Sequence, residues 1–164
     1  MANFVREDML IACIENKNIA LVSEILDAGV NLNYKDNKPL SVACEVGCLE
    51  IVKMLIKRGV DPHCEGEVLL RSASYYGRKE IIKHALSLGS DVDSGNGFPL
   101  VVAAARGYFD AAMLLIENGA DVDFLIEGMK LVFNDGSSPM SAIRYLLDFS
   151  NLLVDKGILV SDEG

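Results

Sequence analysis

The chain has 164 residues and a net charge of −9, from 24 acidic and 15 basic residues. Nucleic-acid binding needs clustered lysine and arginine, so this balance argues against direct binding to DNA or RNA. It suits either a basic protein partner or simple solubility. Hydrophobic residues make up 51% of the chain, but apolar stretches such as residues 100–105 are too short to span a bilayer. We therefore expect a cytoplasmic protein that does not contact membranes.

The first predicted unit covers residues 1–33 and contains two short helices. Asp8 stands where an N-cap for the first helix is expected, and residues 16–18 form a polar turn before the second. Gly29 follows the second helix, where a left-handed residue is needed to end it. As the terminal unit of an array, residues 1–33 are expected to present a polar outer face.

The second unit, residues 34–63, shows the clearest pattern. Apolar or small residues recur at helical spacing after Pro39, and a second apolar stripe begins four residues after Gly47. The two stripes consist of Leu40, Ala43, Cys44 and Gly47, and of Ile51, Val52, Leu55 and Ile56. Gly59 then ends the second helix. A hairpin this small cannot bury its apolar stripes alone, so the pattern predicts neighbouring copies of the same unit.

Copies are present at a period of 30 residues. The glycines that close the second helices are Gly29, Gly59, Gly89 and Gly119. The glycines between the two helices of a unit are Gly47, Gly77 and Gly107, with Lys17 at the equivalent place in the first unit. Two glycine series in one phase predict four helical hairpins, with units at about residues 1–33, 34–63, 64–93 and 94–123.

Residues 124–164 break this period. The segment 124–137 is strongly apolar and longer than any other connection, and it is either an enlarged finger that grips a partner or a lid over the last hairpin. The lid is favoured because an exposed run of large apolar residues promotes aggregation. No glycine divides residues 139–156, which leaves either a compressed hairpin or a single longer helix. Both alternatives would cap the array.

The repeated unit resembles the ankyrin repeat, a β-turn followed by two antiparallel helices. The family signature, threonine-proline-leucine-histidine-x-alanine, is matched at residues 38–43 and 98–103, which read Lys-Pro-Leu-Ser-Val-Ala and Phe-Pro-Leu-Val-Val-Ala, and more weakly at 68–73. The closing family phrase, glycine-alanine-aspartate-valine-asparagine, is matched best at residues 119–123.

Two departures from the family pattern carry structural expectations. The signature histidine is absent from every copy, and the period is 30 residues where the family norm is about 33. The missing residues fall between the closing glycine and the next helix, so the β-turn fingers should be short. The first helices are expected to start at Lys38, Val68 and Phe98 without a side-chain cap.

The resemblance implies an all-α ankyrin-repeat solenoid that forms a single domain over residues 1–164, with an irregular C-terminal cap over 124–164. It also implies protein–protein recognition through a concave groove, formed by the fingertips and the exposed positions of the first helices. The candidate partner-binding residues at these positions are Tyr34, Lys35, Val42, Glu45, Ser72, Tyr75, Tyr76, Phe98, Val102 and Arg106.

Three functions from different classes were weighed. The first is a free-standing adaptor or inhibitor of a folded protein, in its sharper form an acidic neutraliser of a basic enzyme such as a nuclease. The second is an enzyme with a metal or thiol site, drawn from Cys44, Cys48, His63 and Cys64. The third is a self-assembling structural subunit.

The first function is favoured because chemistry-bearing motifs are missing from the sequence. No CxxC pair, paired histidines or phosphate-binding glycine loop is present, and buried free thiols account for Cys13 and Cys44. We therefore expect no enzymatic activity, no cofactor, no metal and a chain that is monomeric on its own.

Overall fold

The computed structural model describes residues 2–135 and 140–159, with side chains for residues 6–130 and 140–159. Within these ranges the chain is all-α. The helices in chain order are α1 (Ala2–Glu15), α2 (Ile19–Asp27), α3 (Tyr34–Val46), α4 (Leu49–Lys57), α5 (Cys64–Tyr75), α6 (Lys79–Ser87), α7 (Ser94–Ala105), α8 (Phe109–Glu117), α9 (Asp123–Asp135) and α10 (Met140–Asp155). None of these helices is both long and apolar enough to cross a membrane.

The chain divides into two compact units, Met1–Asp91 and Val92–Gly164. In the first compact unit, Met1–Asp91, each odd-numbered helix pairs with the helix that follows it. Helix α3 packs between α1 and α5, and α4 packs between α2 and α6. The repeat register is confirmed because the equivalent residues Leu10, Leu40 and Leu70 are fully buried. The expectation that residues 1–164 form one domain stays a prediction.

The turns between paired helices are tight, and each contains a left-handed residue. Gly47 has φ +73°, and the amides of Gly47 and Cys48 each donate to the Ala43 carbonyl at 3.1 Å. Lys17 has φ +53° at the equivalent place in the first repeat, where the Asn18 amide donates to the Cys13 carbonyl at 2.9 Å. The closing glycines likewise have φ between +76° and +98°, as a helix end of this type requires.

The short connections between successive repeats each contain a single left-handed turn. Residues 35–37, 65–67 and 95–97 each place three consecutive residues at φ between +46° and +70°, and right-handed helix begins at the next residue. The predicted helix starts at positions 38, 68 and 98 are therefore found. Sequence reasoning expected a shortened β-turn here and did not foresee the left-handed conformation, which non-glycine residues rarely adopt.

The C-terminal region fits the favoured lid and not the alternative of an enlarged finger. Residues 123–135 form the helix α9, which packs on α7. Leu125 is fully buried, and Gly128 lies so close to Val101 that a β-carbon there would come within 2.7 Å of a Val101 methyl group. The finger interpretation is therefore wrong for the described residues, because α9 packs on α7 and buries Leu125.

Two further expectations are settled by helix boundaries. Residues 140–155 form the single helix α10, so the longer-helix alternative holds, while residue 139 lies outside the described residues. The prediction of Asp8 as an N-cap is wrong, because α1 begins at Ala2 and Asp8 lies inside it.

Candidate protein-interaction surface

An aromatic pair stands at the end of α5. The helix buries Leu69, Leu70 and Ala73, which turns the side chain of Tyr75 outward with 39% of its surface exposed. Tyr75 meets Tyr76 edge to face, with ring centroids 5.0 Å apart and the ring planes at 78°. This is a favourable aromatic geometry, so the two rings hold each other in place.

A carboxylate on α3 fixes the second ring. The Tyr76 hydroxyl donates to Oε2 of Glu45 at 3.2 Å, and Glu45 is itself exposed. Ser72 is half-buried on α5, three and four residues before the two tyrosines and therefore on the same side of the helix. The structure thus brings four of the predicted residues, on two helices, into one cluster, which we call the tyrosine surface: Glu45, Ser72, Tyr75 and Tyr76.

Tyr34 and Lys35 form a second cluster around Asp8. The Tyr34 hydroxyl donates to Oδ1 of Asp8 at 3.0 Å, and Nζ of Lys35 lies 3.5 Å from the same oxygen and 4.7 Å from the centre of the Tyr34 ring. The Tyr34 hydroxyl and the Asp8 carboxylate raise the pKa of Lys35, so its ammonium group is charged at neutral pH. These residues lie at the left-handed turn, as expected of a fingertip.

Val42 is not available for contact. It is only 2% exposed, and α3 also buries Leu40, Ala43 and Cys44. The prediction that Val42 presents contact surface is therefore wrong: the buried stripe of α3 is wider than the i, i+3, i+4 pattern indicates.

The second compact unit holds the remaining candidates along α7. Phe98, Val102 and Arg106 follow one another at four-residue intervals, so they form one stripe of the helix. The first two are half-buried and Arg106 is exposed, with its guanidinium 5.9 Å from the centre of the Tyr108 ring. The stripe forms a second candidate surface, which belongs to this unit alone.

Sequence reasoning missed Arg78, which ties the third repeat to the second. Its Nε donates to the Cys44 carbonyl at 3.3 Å and its Nη2 donates to the Glu45 carbonyl, so it satisfies acceptors at the end of α3. A basic residue after Gly77 is the only signal in the sequence. That signal does not reveal a partner more than thirty residues away, yet the contact helps to position Glu45 in the tyrosine surface.

The alternative metal or thiol site finds no support among the described residues. Burial raises the pKa of the Cys44 thiol to about 12, against a smaller opposing effect of Arg78, so the thiol is protonated and unreactive. The ring of His63 is engaged by Glu67, with Nδ1 2.9 Å from the carboxylate. Across residues 6–130 and 140–159, no three histidine, cysteine, aspartate or glutamate side chains are arranged to hold a metal ion.

Comparison with known proteins identifies the repeats. A family model of three ankyrin repeats matches residues 3–66, and the model of a single ankyrin repeat matches residues 98–125. Ankyrin repeat and SAM domain-containing protein 6 of Rattus norvegicus is 31% identical over 127 residues, covering 71% of this chain and 13% of the relative. NF-kappa-B inhibitor alpha of Mus musculus is 31% identical over 104 residues, covering 56% of this chain and 33% of the relative.

A plant protein is similar as well. E3 ubiquitin-protein ligase KEG of Arabidopsis thaliana is 27% identical over 121 residues, covering 68% of this chain and 7% of the ligase. The chain therefore spans only a minor part of each of these relatives. What they share with it is a set of ankyrin repeats, which are protein–protein interaction modules. With its 30-residue period, its paired helices and both family models in agreement, the chain belongs to the ankyrin-repeat family.

Proposed function

We propose that this chain is a non-enzymatic binding module that holds a protein partner on the tyrosine surface of its first compact unit and acts as an adaptor or inhibitor. The observation that carries the proposal is the exposed Tyr75 ring, held edge-on by Tyr76, which Glu45 fixes in turn. Tyr34 and Lys35 stand at the turn of the preceding repeat and extend the contact area. The stripe of Phe98, Val102 and Arg106 is proposed as a separate contact surface in the second unit.

The physical argument is preorganisation. A tyrosine brings a large rigid area and one polar tip, and such residues dominate binding energy at protein interfaces. Here neither ring must be immobilised when a partner binds, because the contacts of Tyr76 with Tyr75 and Glu45 already hold them. Less entropy is therefore lost on association. The name of NF-kappa-B inhibitor alpha gives one ankyrin-repeat relative an inhibitory role, which supports this class of function without indicating the partner.

The test is affinity capture from native lysate with quantitative mass spectrometry, using the wild type, Tyr75→Ala and Leu21→Ala. Leu21 is the matched control because it is a large side chain of the same unit and is 40% exposed, against 39% for Tyr75. A partner should be recovered by the wild type and by Leu21→Ala and lost by Tyr75→Ala. With that partner purified, Tyr75→Ala should weaken binding by about tenfold or more, as for an interface hot spot. Equal binding by all three proteins would contradict the proposal.

A second, finer proposal concerns the charge of the partner. Residues 92–164 carry eleven acidic and four basic residues, which gives a net charge of −7. Residues 1–91 carry thirteen acidic and eleven basic residues, which gives a net charge of −2. This uneven distribution favours a basic partner, such as a nuclease, attracted mainly by the second unit.

Association with such a partner should slow strongly as salt rises from 50 to 500 mM, roughly in step with the shrinking Debye length. Glu117→Gln, in the second unit, should reduce the association rate more than Glu24→Gln in the first; both side chains are exposed. A rate that is independent of salt would contradict the basic-partner proposal while leaving the tyrosine surface untouched.

A further inference from the structure

The left-handed turn at residues 65–67 carries unusual residues for its conformation. Glu65 has φ +51° and Glu67 has φ +68°, with Gly66 between them. In the turn at 95–97, two of the three residues are glycine, which adopts this conformation without strain. Glutamate lacks both that freedom and the short polar side chain that lets asparagine and aspartate tolerate it. The turn at 65–67 therefore needs stabilisation from elsewhere.

A side-chain bridge crosses this turn. Nδ1 of His63 lies 3.0 and 2.9 Å from the two carboxylate oxygens of Glu67. Two backbone hydrogen bonds close the same loop, from the Glu67 amide to the His63 carbonyl at 3.2 Å and from the Leu69 amide to the Pro62 carbonyl at 3.3 Å. The bridge therefore joins the two ends of the strained segment.

The surroundings of the imidazole favour its protonated form. The hydrogen bond with Glu67 raises the pKa of His63 above its ordinary value of 6.5, against a smaller opposing effect of burial. The Asp61 carboxylate, from the segment before the turn, and the Leu88 carbonyl, at the end of α6, act in the same direction. These groups come from the turn itself, from the segment before it and from the end of α6.

The carboxylate partner is set up to remain ionised. Burial by itself would raise the pKa of Glu67, but the polar groups of Ser90, His63 and Asp91 that face it lower the pKa below its ordinary value of 4.5. The backbone of Asp91 lies outside the turn, so the carboxylate also ties the turn to the closing segment of its own repeat.

We propose that His63 and Glu67 form a proton-dependent clamp: the imidazolium locks the left-handed turn at 65–67, and loss of its proton loosens the turn and the start of right-handed helix at Val68. Because the folded pKa of His63 is raised, its stabilisation is complete below about pH 6.5 and is lost as pH rises through the folded value. Because the folded pKa of Glu67 is lowered, its contribution is present above about pH 4.5 and is lost on acidification through the folded value. The clamp is therefore closed in mildly acid solution and opens as the pH rises through the raised pKa of His63.

The histidines give a direct test by NMR, because the chain has only two. His84 is the internal control, since partial burial and the nearby Lys53 lower its pKa. His63 should titrate at higher pH than His84, and Glu67→Gln should lower the midpoint of His63 and leave that of His84 unchanged. A His63 midpoint at or below that of His84, or one that Glu67→Gln does not move, would overturn the proposal.

Hydrogen exchange tests the consequence for the turn. After correction for intrinsic rates, the amides of Glu67 and Leu69 should exchange about two- to fivefold faster at pH 8 than at pH 6, the change expected for loss of a partly exposed ion pair. His63→Gln should abolish this difference. The Gly97 amide, which donates to the Asp93 carbonyl at 2.9 Å in the equivalent turn, is the matched control. Equal behaviour of both turns, or of wild type and His63→Gln, would refute the clamp; neither readout depends on a binding partner.

Discussion

The contact between Gly47 and Arg78 offers a sharp test of how the repeats are held together. Gly47 has φ +73°, and a β-carbon at this position would lie 3.0 Å from Nε of Arg78 and 3.1 Å from its Cδ and Cζ. Gly47→Ala therefore imposes two costs. The alanine must adopt a left-handed conformation, and the guanidinium must shift by a few tenths of an ångström, which weakens its hydrogen bonds to the carbonyls of Cys44 and Glu45.

The two costs can be separated with a matched control. Gly29 has φ +76°, and nothing lies within 4 Å of the β-carbon that would be added there. Gly29→Ala should therefore lower the free energy of unfolding by the backbone cost alone, about 1–2 kcal/mol. Gly47→Ala should lower it by roughly 2–3 kcal/mol, because weakening the hydrogen bonds from a charged donor to two carbonyls adds about 1 kcal/mol.

Urea denaturation measures both values, provided that the dependence of the unfolding free energy on urea stays constant. In the background of Arg78→Ala, the extra cost of Gly47→Ala should disappear, giving a coupling energy of about 1 kcal/mol. Equal destabilisation by Gly47→Ala and Gly29→Ala, or a coupling energy near zero, would refute the assignment of Arg78 as the cap of α3.

Three further predictions concern strain, reactivity and the C-terminal helices. Lys17→Gly should raise the free energy of unfolding by up to about 1 kcal/mol in urea denaturation, because it relieves a left-handed lysine at φ +53°; a destabilised variant would contradict this. Cys44, whose buried thiol has a pKa of about 12, should resist a thiol reagent in the native protein while the half-buried Cys48 reacts, as peptide mapping would show. Phe149→Ala should cost about 3–5 kcal/mol, since Phe149 is fully buried, whereas Met140→Ala, at a residue 80% exposed, should change stability by less than about 0.5 kcal/mol.

The sequence predicted those features that a repeated local pattern determines. The 30-residue period located the turn inside each of the first four hairpins, including the one where Lys17 replaces glycine. The buried positions of Leu10, Leu40 and Leu70 followed from the same alignment. These features depend on helical spacing alone, which is visible in the residues themselves.

Other features depend on contacts between distant residues and were missed. Arg78 caps a helix of the preceding repeat, and no spacing rule connects it to Cys44. The turn at 35–37 was read as a shortened β-turn because non-glycine residues rarely adopt positive φ. The composition of the stretch that forms α9 favours a lid, but its helix and its packing on α7 depend on tertiary contacts that the sequence does not show.

For the interaction surface, the sequence identified residue types better than their exposure. Tyr75 is exposed as predicted, but Val42 is buried, because the pattern could not show how wide the packed face of α3 is. The contact of Tyr76 with Glu45, which fixes the tyrosine surface, joins side chains on two different helices. Whether these residues bind a partner stays a prediction.

The measurement that tests the central claim most directly is a hydrogen-exchange footprint of the chain with and without the protein that it captures. The account predicts that binding slows exchange in α5 around residues 72–76 and at the turn that contains Tyr34 and Lys35. Protection confined to α2, α4 and α6, with α5 unchanged, would contradict the tyrosine surface as the binding site.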